Sequence, residues 1–201
     1  MIKRLVVLVA IFMIGCQSDD DNNVPPVDLT ALFLEETTPQ FTAEIDGQPY
    51  TWKFGLSQYQ TNMGTFYTEE FGGSLRYLRF ALLEDDGNNE FSINTPIYDA
   101  STQSGFNSVF GLGEKSIGEF TLGYQFTIVY DNTVGLGCPQ NLTYNLTVLK
   151  TEEIEDNGPN GNRLRVWYKI DDIDLSECEV NSSGLLTNGF ILAEFLNTFE
   201  E

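Results

Sequence analysis

Four side chains in the segment Arg163–Ile170 have the spacing of a contact face. Arg163, Arg165, Trp167 and Lys169 alternate with Leu164, Val166, Tyr168 and Ile170, so an extended strand puts the bases and the indole on one side and the apolar set on the other. A Trp flanked by guanidinium groups suits a sugar or a partner segment: the ring is a flat apolar platform and the bases are donors. The same face can be closed instead by cross-strand acids and a covering loop. Hard oxygen ligands of the kind Ca²⁺ takes gather in two acidic turns, one with Asp85, Asp86, Asn88 and Glu90, the other with Asp171, Asp172 and Asp174. Neither has the alternating acids, Gly and distal Glu of the helix–loop–helix calcium site, and Asp, Asn and Gly also build ordinary tight turns. Hydrolysis by carboxylates needs two acids roughly 5 to 10 Å apart across a groove. Asp172 and Asp174 would share a face about 7 Å apart if extended, with Glu177 beyond them. No residue is assigned a catalytic role.

The chain contains no histidine. A Ser-His-Asp triad, a Cys-His pair and any histidine-ligated metal site are thereby excluded. Thirty acidic residues stand against ten basic ones, a formal charge of −20. Such a field repels phosphate backbones, so nucleic acid is not an expected partner. It favours cations, and it keeps a protein soluble.

Elements must position these groups, and the first residues are not among them. Lys3 and Arg4 precede an unbroken apolar run over residues 5–14. About ten helical residues span about 15 Å, half a hydrocarbon core, so residues 1–15 read as an export signal rather than a spanning helix. The run ends Ile14-Gly15-Cys16, which resembles the lipobox of bacterial lipoproteins, with Met13 where Leu is usual and Ile14 where Ala or Ser is common. Cys16 is therefore the expected lipidation site, and its acyl chains the expected link to a membrane. The following Gln17-Ser18-Asp19-Asp20-Asp21 resembles the acidic export signal of Bacteroidota surface lipoproteins. It implies an outer-membrane protein displayed on the cell surface, or otherwise held at the periplasmic face. Residues 16–39 are rich in Asp, Asn and Pro and read as a disordered tether. An apolar stretch from Leu29 to Glu36 interrupts it, long enough for one or two helical turns capped by Asp28 and suited to packing against the domain edge.

Residues 40–201 carry the period of strands. Phe41, Ala43 and Ile45 alternate with polar residues up to Asp46-Gly47, then Tyr50, Trp52 and Phe54 alternate on the way back, which predicts a hairpin. Tyr124, Phe126, Ile128 and Tyr130 form another apolar row; so do Leu142, Tyr144, Leu146 and Val148; so do the four apolar residues around Trp167. Residues 75–83 and 189–199 are apolar on both faces, as central strands are. The expectation is a single all-β domain, an antiparallel β-sandwich or partly closed barrel of about 8–10 strands. With Cys16 lipidated, Cys138 and Cys178 remain as an even pair in an oxidising compartment and are the expected disulfide. By loop entropy it would stabilise by about 4 kcal/mol.

The opening Phe41-Thr42-Ala43-Glu44-Ile45-Asp46-Gly47 followed by Tyr50, with Leu186-Thr187-Asn188-Gly189-Phe190 before the last strand, is similar to small Bacteroidota outer-membrane lipoproteins of unassigned function. The resemblance implies fold and address and carries over no functional residue. The expected function is therefore that of a lipid-anchored, non-enzymatic protein binding a glycan, a cation or an envelope partner. No cofactor is expected except Ca²⁺ at the acidic turn. A structural subunit of an outer-membrane complex is the alternative, and a carboxylate-dependent hydrolase the third reading.

Overall fold

The computed structural model describes residues 27–55, 59–67, 74–84, 89–118, 122–130, 134–137, 144–155, 162–175 and 184–196. Among these the chain forms α1 (Leu29–Leu34), β1 (Gln40–Ile45), β2 (Gln48–Lys53), β3 (Tyr59–Tyr67), β4 (Leu75–Glu84), β5 (Glu90–Asn94) and β6 (Tyr98–Asp99). The second half begins with α2 (Gln103–Phe110), β7 (Gly113–Ile117), β8 (Gln125–Tyr130) and β9 (Val134–Gly137). It closes with β10 (Tyr144–Ile154), β11 (Arg163–Ile170), β12 (Ile173–Asp174) and β13 (Leu185–Leu196). Cys16, Cys138, Cys178, Asp85, Asp86 and Asn88 lie outside the described residues, as does the leader.

The strands make two antiparallel sheets. One runs β2-β1-β13-β11-β10-β7, with β12 on β13; the other runs β3-β4-β5-β8-β9, with β6 on β4. They are separate sheets, not a closed barrel, and an isolated bridge between Ile117 and Tyr124 ties β7 to the start of β8. Their facing sides form one core. Phe41, Val166, Tyr168, Ile191 and Phe195 come from the first sheet, and Phe80, Phe91, Ile93, Phe126 and Ile128 from the second. Phe41 stacks on Phe91 across the layers at 4.5 Å between centroids, an offset pairing that adds to simple area burial. The sequence explains this core directly, because each strand presents every second side chain to it.

The β1–β2 hairpin turns where expected. Asp46 (φ 51°) and Gly47 (φ 74°) both hold positive φ, the requirement of a two-residue turn whose twist matches that of the strands. Asp46 also accepts a hydrogen bond from the Leu185 amide at 2.9 Å, tying the turn to the first residue of β13. Between Thr42 and Glu44 the β1–β13 register shifts, so that Asn188 and Gly189 together face Ala43. Asn188 has φ 51°, and a Cβ on Gly189 would press on Ile170 at 3.0 Å. The Asp-Gly and Asn-Gly segments are thus neighbouring parts of one structural feature, a hairpin tip lashed to a bulged central strand.

Two differences from the sequence expectation stand out. The strands exceed the expected 8–10, because short pieces such as β6, β7 and β12 pair in sheets without enough length to show a period. The tether also ends before residue 39. From Leu29 the chain forms α1, with Asp28 accepting from the Ala31 amide at 3.1 Å. That helix packs on the outer face of the first sheet rather than on its edge: Phe33 is buried with Trp167, Phe190 and Leu192.

Candidate functional site

Alternation does place Arg163, Arg165, Trp167 and Lys169 on one face of β11, turned away from the inter-sheet core. Of the two readings of that face, the structure has the closed one at Trp167. Trp167 is 0% exposed. Its ring lies with Phe33 of α1 and with Phe190 and Leu192 of β13, and its Nε1–H donates to the carbonyl of Glu36 at 3.0 Å. A bulge in β10 between Val148 and Lys150 sets Lys150 opposite Trp167. The ammonium then sits 4.2 Å from the ring centroid, a favourable cation–π contact.

The two arginines are committed as well. Arg163 Nη1 donates to Glu194 Oε2 at 2.7 Å, and Arg165 Nη2 to Oε1 of the same carboxylate at 2.8 Å. Glu194 is only 5% exposed, a depth tolerable for a carboxylate only with such partners. Arg165 also lies 3.8 Å from Glu152. Of the four, Lys169 alone is exposed. The face is therefore closed by the chain's own helix and acids, and the indole offers no platform to a sugar.

Beside this closed cluster the same outer surface opens into a groove of about 420 Å³ between α1 and the β1–β2 hairpin. Strand period builds its floor. Phe41, Ala43, Ile45 and Trp52 face the core, which turns Gln40, Thr42 and Glu44 of β1 and Pro49, Thr51 and Lys53 of β2 outward into the groove. Leu29, Leu32 and Phe33 form the helical wall, at the i, i+3, i+4 spacing that lines one side of a helix, and Phe190 and Asn188 the far end. Leu29 and Leu32 remain 47% and 60% exposed.

The polar groups of the groove are unequally satisfied. Thr42 and Thr51 share a hydroxyl–hydroxyl hydrogen bond at 3.3 Å. Glu36 and Lys53 form an ion pair at 2.7 Å that straps the end of the helix to β2. Gln40 is 5% exposed, and among the described residues its side-chain amide makes no hydrogen bond, while it lines the groove. The Glu44 carboxylate is likewise without a partner among the described residues. Chemically, an apolar wall, an amide, two hydroxyls and one uncompensated carboxylate are suited to an extended neutral or cationic chain. Among the described residues lining it there is no nucleophile–base pair, and Glu36 is held by Lys53, which leaves Glu44 as the one free carboxylate of these. Sequence reasoning missed the groove because its wall and floor are separate elements. The signal was Leu29, Leu32 and Phe33 recurring at helical spacing after Asp28.

The other candidates fall elsewhere. Glu90, at the start of β5, accepts from Arg79 Nη2 at 2.9 Å, while Asp85, Asp86 and Asn88 lie outside the described residues. Asp172 and Asp174 are exposed at β12, and Glu177 is outside the described residues. Among the described residues no three His, Cys, Asp or Glu come together as a metal site. No protein-family model, no curated protein and no solved structure matches this chain.

Proposed function

We propose that this protein is a lipid-anchored, non-enzymatic binding protein of the outer membrane. In this reading Cys16 carries the lipid, Asp19 to Asp21 direct the chain to the cell surface, and Cys138 and Cys178 are oxidised to each other. The periplasmic face of the same membrane is the alternative address. The ligand is an extended segment of another envelope protein, neutral or cationic, held in the groove between α1 and the hairpin. The observation that carries this is the open groove itself, with exposed Leu29 and Leu32 on its wall and, on its floor, the Gln40 amide and the Glu44 carboxylate, neither with a partner among the described residues. The Gln40 amide stays open to the groove rather than sealed inside the protein, so a ligand's backbone can pair with it. The exposed Leu29 and Leu32 add an apolar anchor, and Glu44 adds attraction for a cation. A glycan is the weaker ligand, because Trp167, the ring suited to stacking, is covered.

A photo-crosslinking residue at Thr51 should give a discrete adduct in intact cells, and Glu44→Lys combined with Leu32→Asp should abolish it. An equal adduct from a control position such as Lys169 would overturn the groove as the site. The anchor is tested separately: Cys16→Ala should no longer take up labelled fatty acid, and label that persists would end the lipoprotein reading. Alkylation without reductant should leave Cys138 and Cys178 unmodified in protein taken from its membrane.

A further inference from the structure

Four strands end the two sheets among the described residues: β2 and β7 in one, β3 and β9 in the other. An end strand carries a row of unpaired amides and carbonyls, which proteins blunt with charge, proline or shortness. Three of the four are blunted in these ways. β2 contains Pro49 and Lys53, β7 contains Glu114 and Lys115, and β9 is 4 residues long. β3 is different. It spans 9 residues, Tyr-Gln-Thr-Asn-Met-Gly-Thr-Phe-Tyr, with no charge and no proline. One side pairs with β4 along its whole length, from Tyr59 opposite Glu84 to Tyr67 opposite Arg76. In a chain of formal charge −20, a stretch of this length without a charge at a sheet edge needs a reason.

The order of the residues supplies one. About Met63 the strand is nearly symmetric: Tyr59 mirrors Tyr67, and Thr61 mirrors Thr65. Two antiparallel copies related by a two-fold axis at Met63 would place Tyr opposite Tyr and Thr opposite Thr, twice each. Aromatic pairs and Thr–Thr pairs are among the favourable cross-strand combinations, and a two-fold interface demands self-complementarity of this kind. We propose that β3 is the homodimer edge of this protein, pairing antiparallel with β3 of a second copy so that the two β3-containing sheets become one continuous sheet.

The charge of the molecule sets how such a dimer behaves. Two chains of −20 repel, so association should strengthen as salt screens that repulsion, the reverse of a dimer held by ion pairs. The register is testable by charge. Gln60 and Phe66 are in register with Leu83 and Tyr77 of β4, and in the dimer Gln60 of one copy opposes Phe66 of the other. Sedimentation of the parent protein should show a monomer–dimer equilibrium that shifts toward dimer with added sodium chloride. Gln60→Lys with Phe66→Lys sets like charges opposite each other twice and should weaken the dimer by about tenfold or more. Gln60→Lys with Phe66→Glu sets opposite charges in the same places and should restore it. Met63→Cys should give a disulfide-linked dimer, because only the residue on the axis meets its own copy at a bridgeable distance; Gln60→Cys should not. A parent that stays monomeric at every concentration and salt, or a dimer indifferent to the charge variants, would overturn the proposal. If the lysine variant fails to fold, absence of the Met63→Cys crosslink in the oxidised protein would do so.

Discussion

Trp167 is held by its own chain. Its indole N–H meets a carbonyl 131 residues away in sequence, and its ring fills the space between α1 and β13. Truncating a buried aromatic leaves a cavity, so Trp167→Ala should cost about 3–5 kcal/mol in chemical denaturation; a loss below about 1 kcal/mol would contradict the packing. Trp167→Phe keeps much of the ring volume and loses the hydrogen bond, at about 1 kcal/mol. A second buried group looks inward from the next position. Tyr168 donates to the Tyr124 hydroxyl at 3.4 Å, which donates to the Val109 carbonyl at 2.9 Å. Burial raises both phenols' pKa values above the ordinary range. A group whose folded pKa lies above its unfolded value of about 10 contributes fully below that pH and loses its contribution as the pH climbs past it. Stability should therefore fall above about pH 10. Tyr168→Phe should flatten that fall by up to about 1.4 kcal/mol per pH unit, at a neutral-pH cost of about 1 kcal/mol. Denaturation midpoints taken across that range check it, and an unchanged slope would count against Tyr168 as a source. Alternation along β11 was enough to assign the side of the strand for each of these residues. It could not give what covers Trp167, because the partner is remote in the chain.

At the scale of elements, α1 shows what holds a helix of 6 residues, a length far too short to persist alone in water. The Asp28 cap satisfies one free amide, Phe33 is buried against Phe190 at 4.9 Å between centroids, and the Glu36–Lys53 pair fixes the chain just beyond the helix. Aspartate at Phe33 should undock it. In a Trp52→Phe background, Phe33→Asp should red-shift Trp167 emission and open it to acrylamide quenching, while the inter-sheet core stays folded; unchanged quenching would mean that α1 is not what shields the ring. The helix and its cap were legible from Asp28 and the apolar spacing after it. α2 was not. Ser104, Gly105, Asn107 and Ser108 are weak helix formers, and the segment is helical because Thr102 caps it and Val109 and Phe110 are buried. Gly105 is required there by tertiary contact, since a Cβ would clash with the Asp99 backbone carbonyl. The hairpin and the β11 row were legible because their period is local, whereas β6 and β12, at 2 residues each, exist only through their pairing partners.

For the whole molecule, composition stated the class and the charge, but strand order depended on contacts that no local pattern encodes. β1 joins β13 across most of the chain, and β7 leaves its neighbour β8 to pair with β10 in the other sheet. The groove arises from that order, since its floor needs the β1–β2 hairpin beside β13 and its wall needs α1 above them. Charge acts at this scale too. The basic residues Lys53, Lys150, Arg163 and Arg165 are held on the outer face of the β1-containing sheet with Glu36, Glu152 and Glu194, and the rest of the molecule carries a large acidic excess. Two effects of salt then oppose each other. Screening weakens attractive pairs, and it also weakens repulsion among acids spread over the surface. The pairs at Glu194 are the strongest attractions and are partly buried, with side-chain exposures of 16% and 30% on the arginines and 6% on the acid, so they are screened least. Among the described residues the acids other than Glu194 are exposed or half-buried, where screening is most effective, and repulsion among acids is greater in the compact state than in the unfolded chain. Repulsion therefore dominates the response. Raising sodium chloride from about 10 mM to about 200 mM, which shortens the screening length from roughly 30 Å to below 10 Å, should raise the urea midpoint. Arg165→Gln should leave that rise in place while lowering the midpoint at every salt concentration, because it removes a contact that salt barely reaches. A midpoint that fell with added salt would show that exposed ion pairs, not acidic repulsion, govern the stability of this fold.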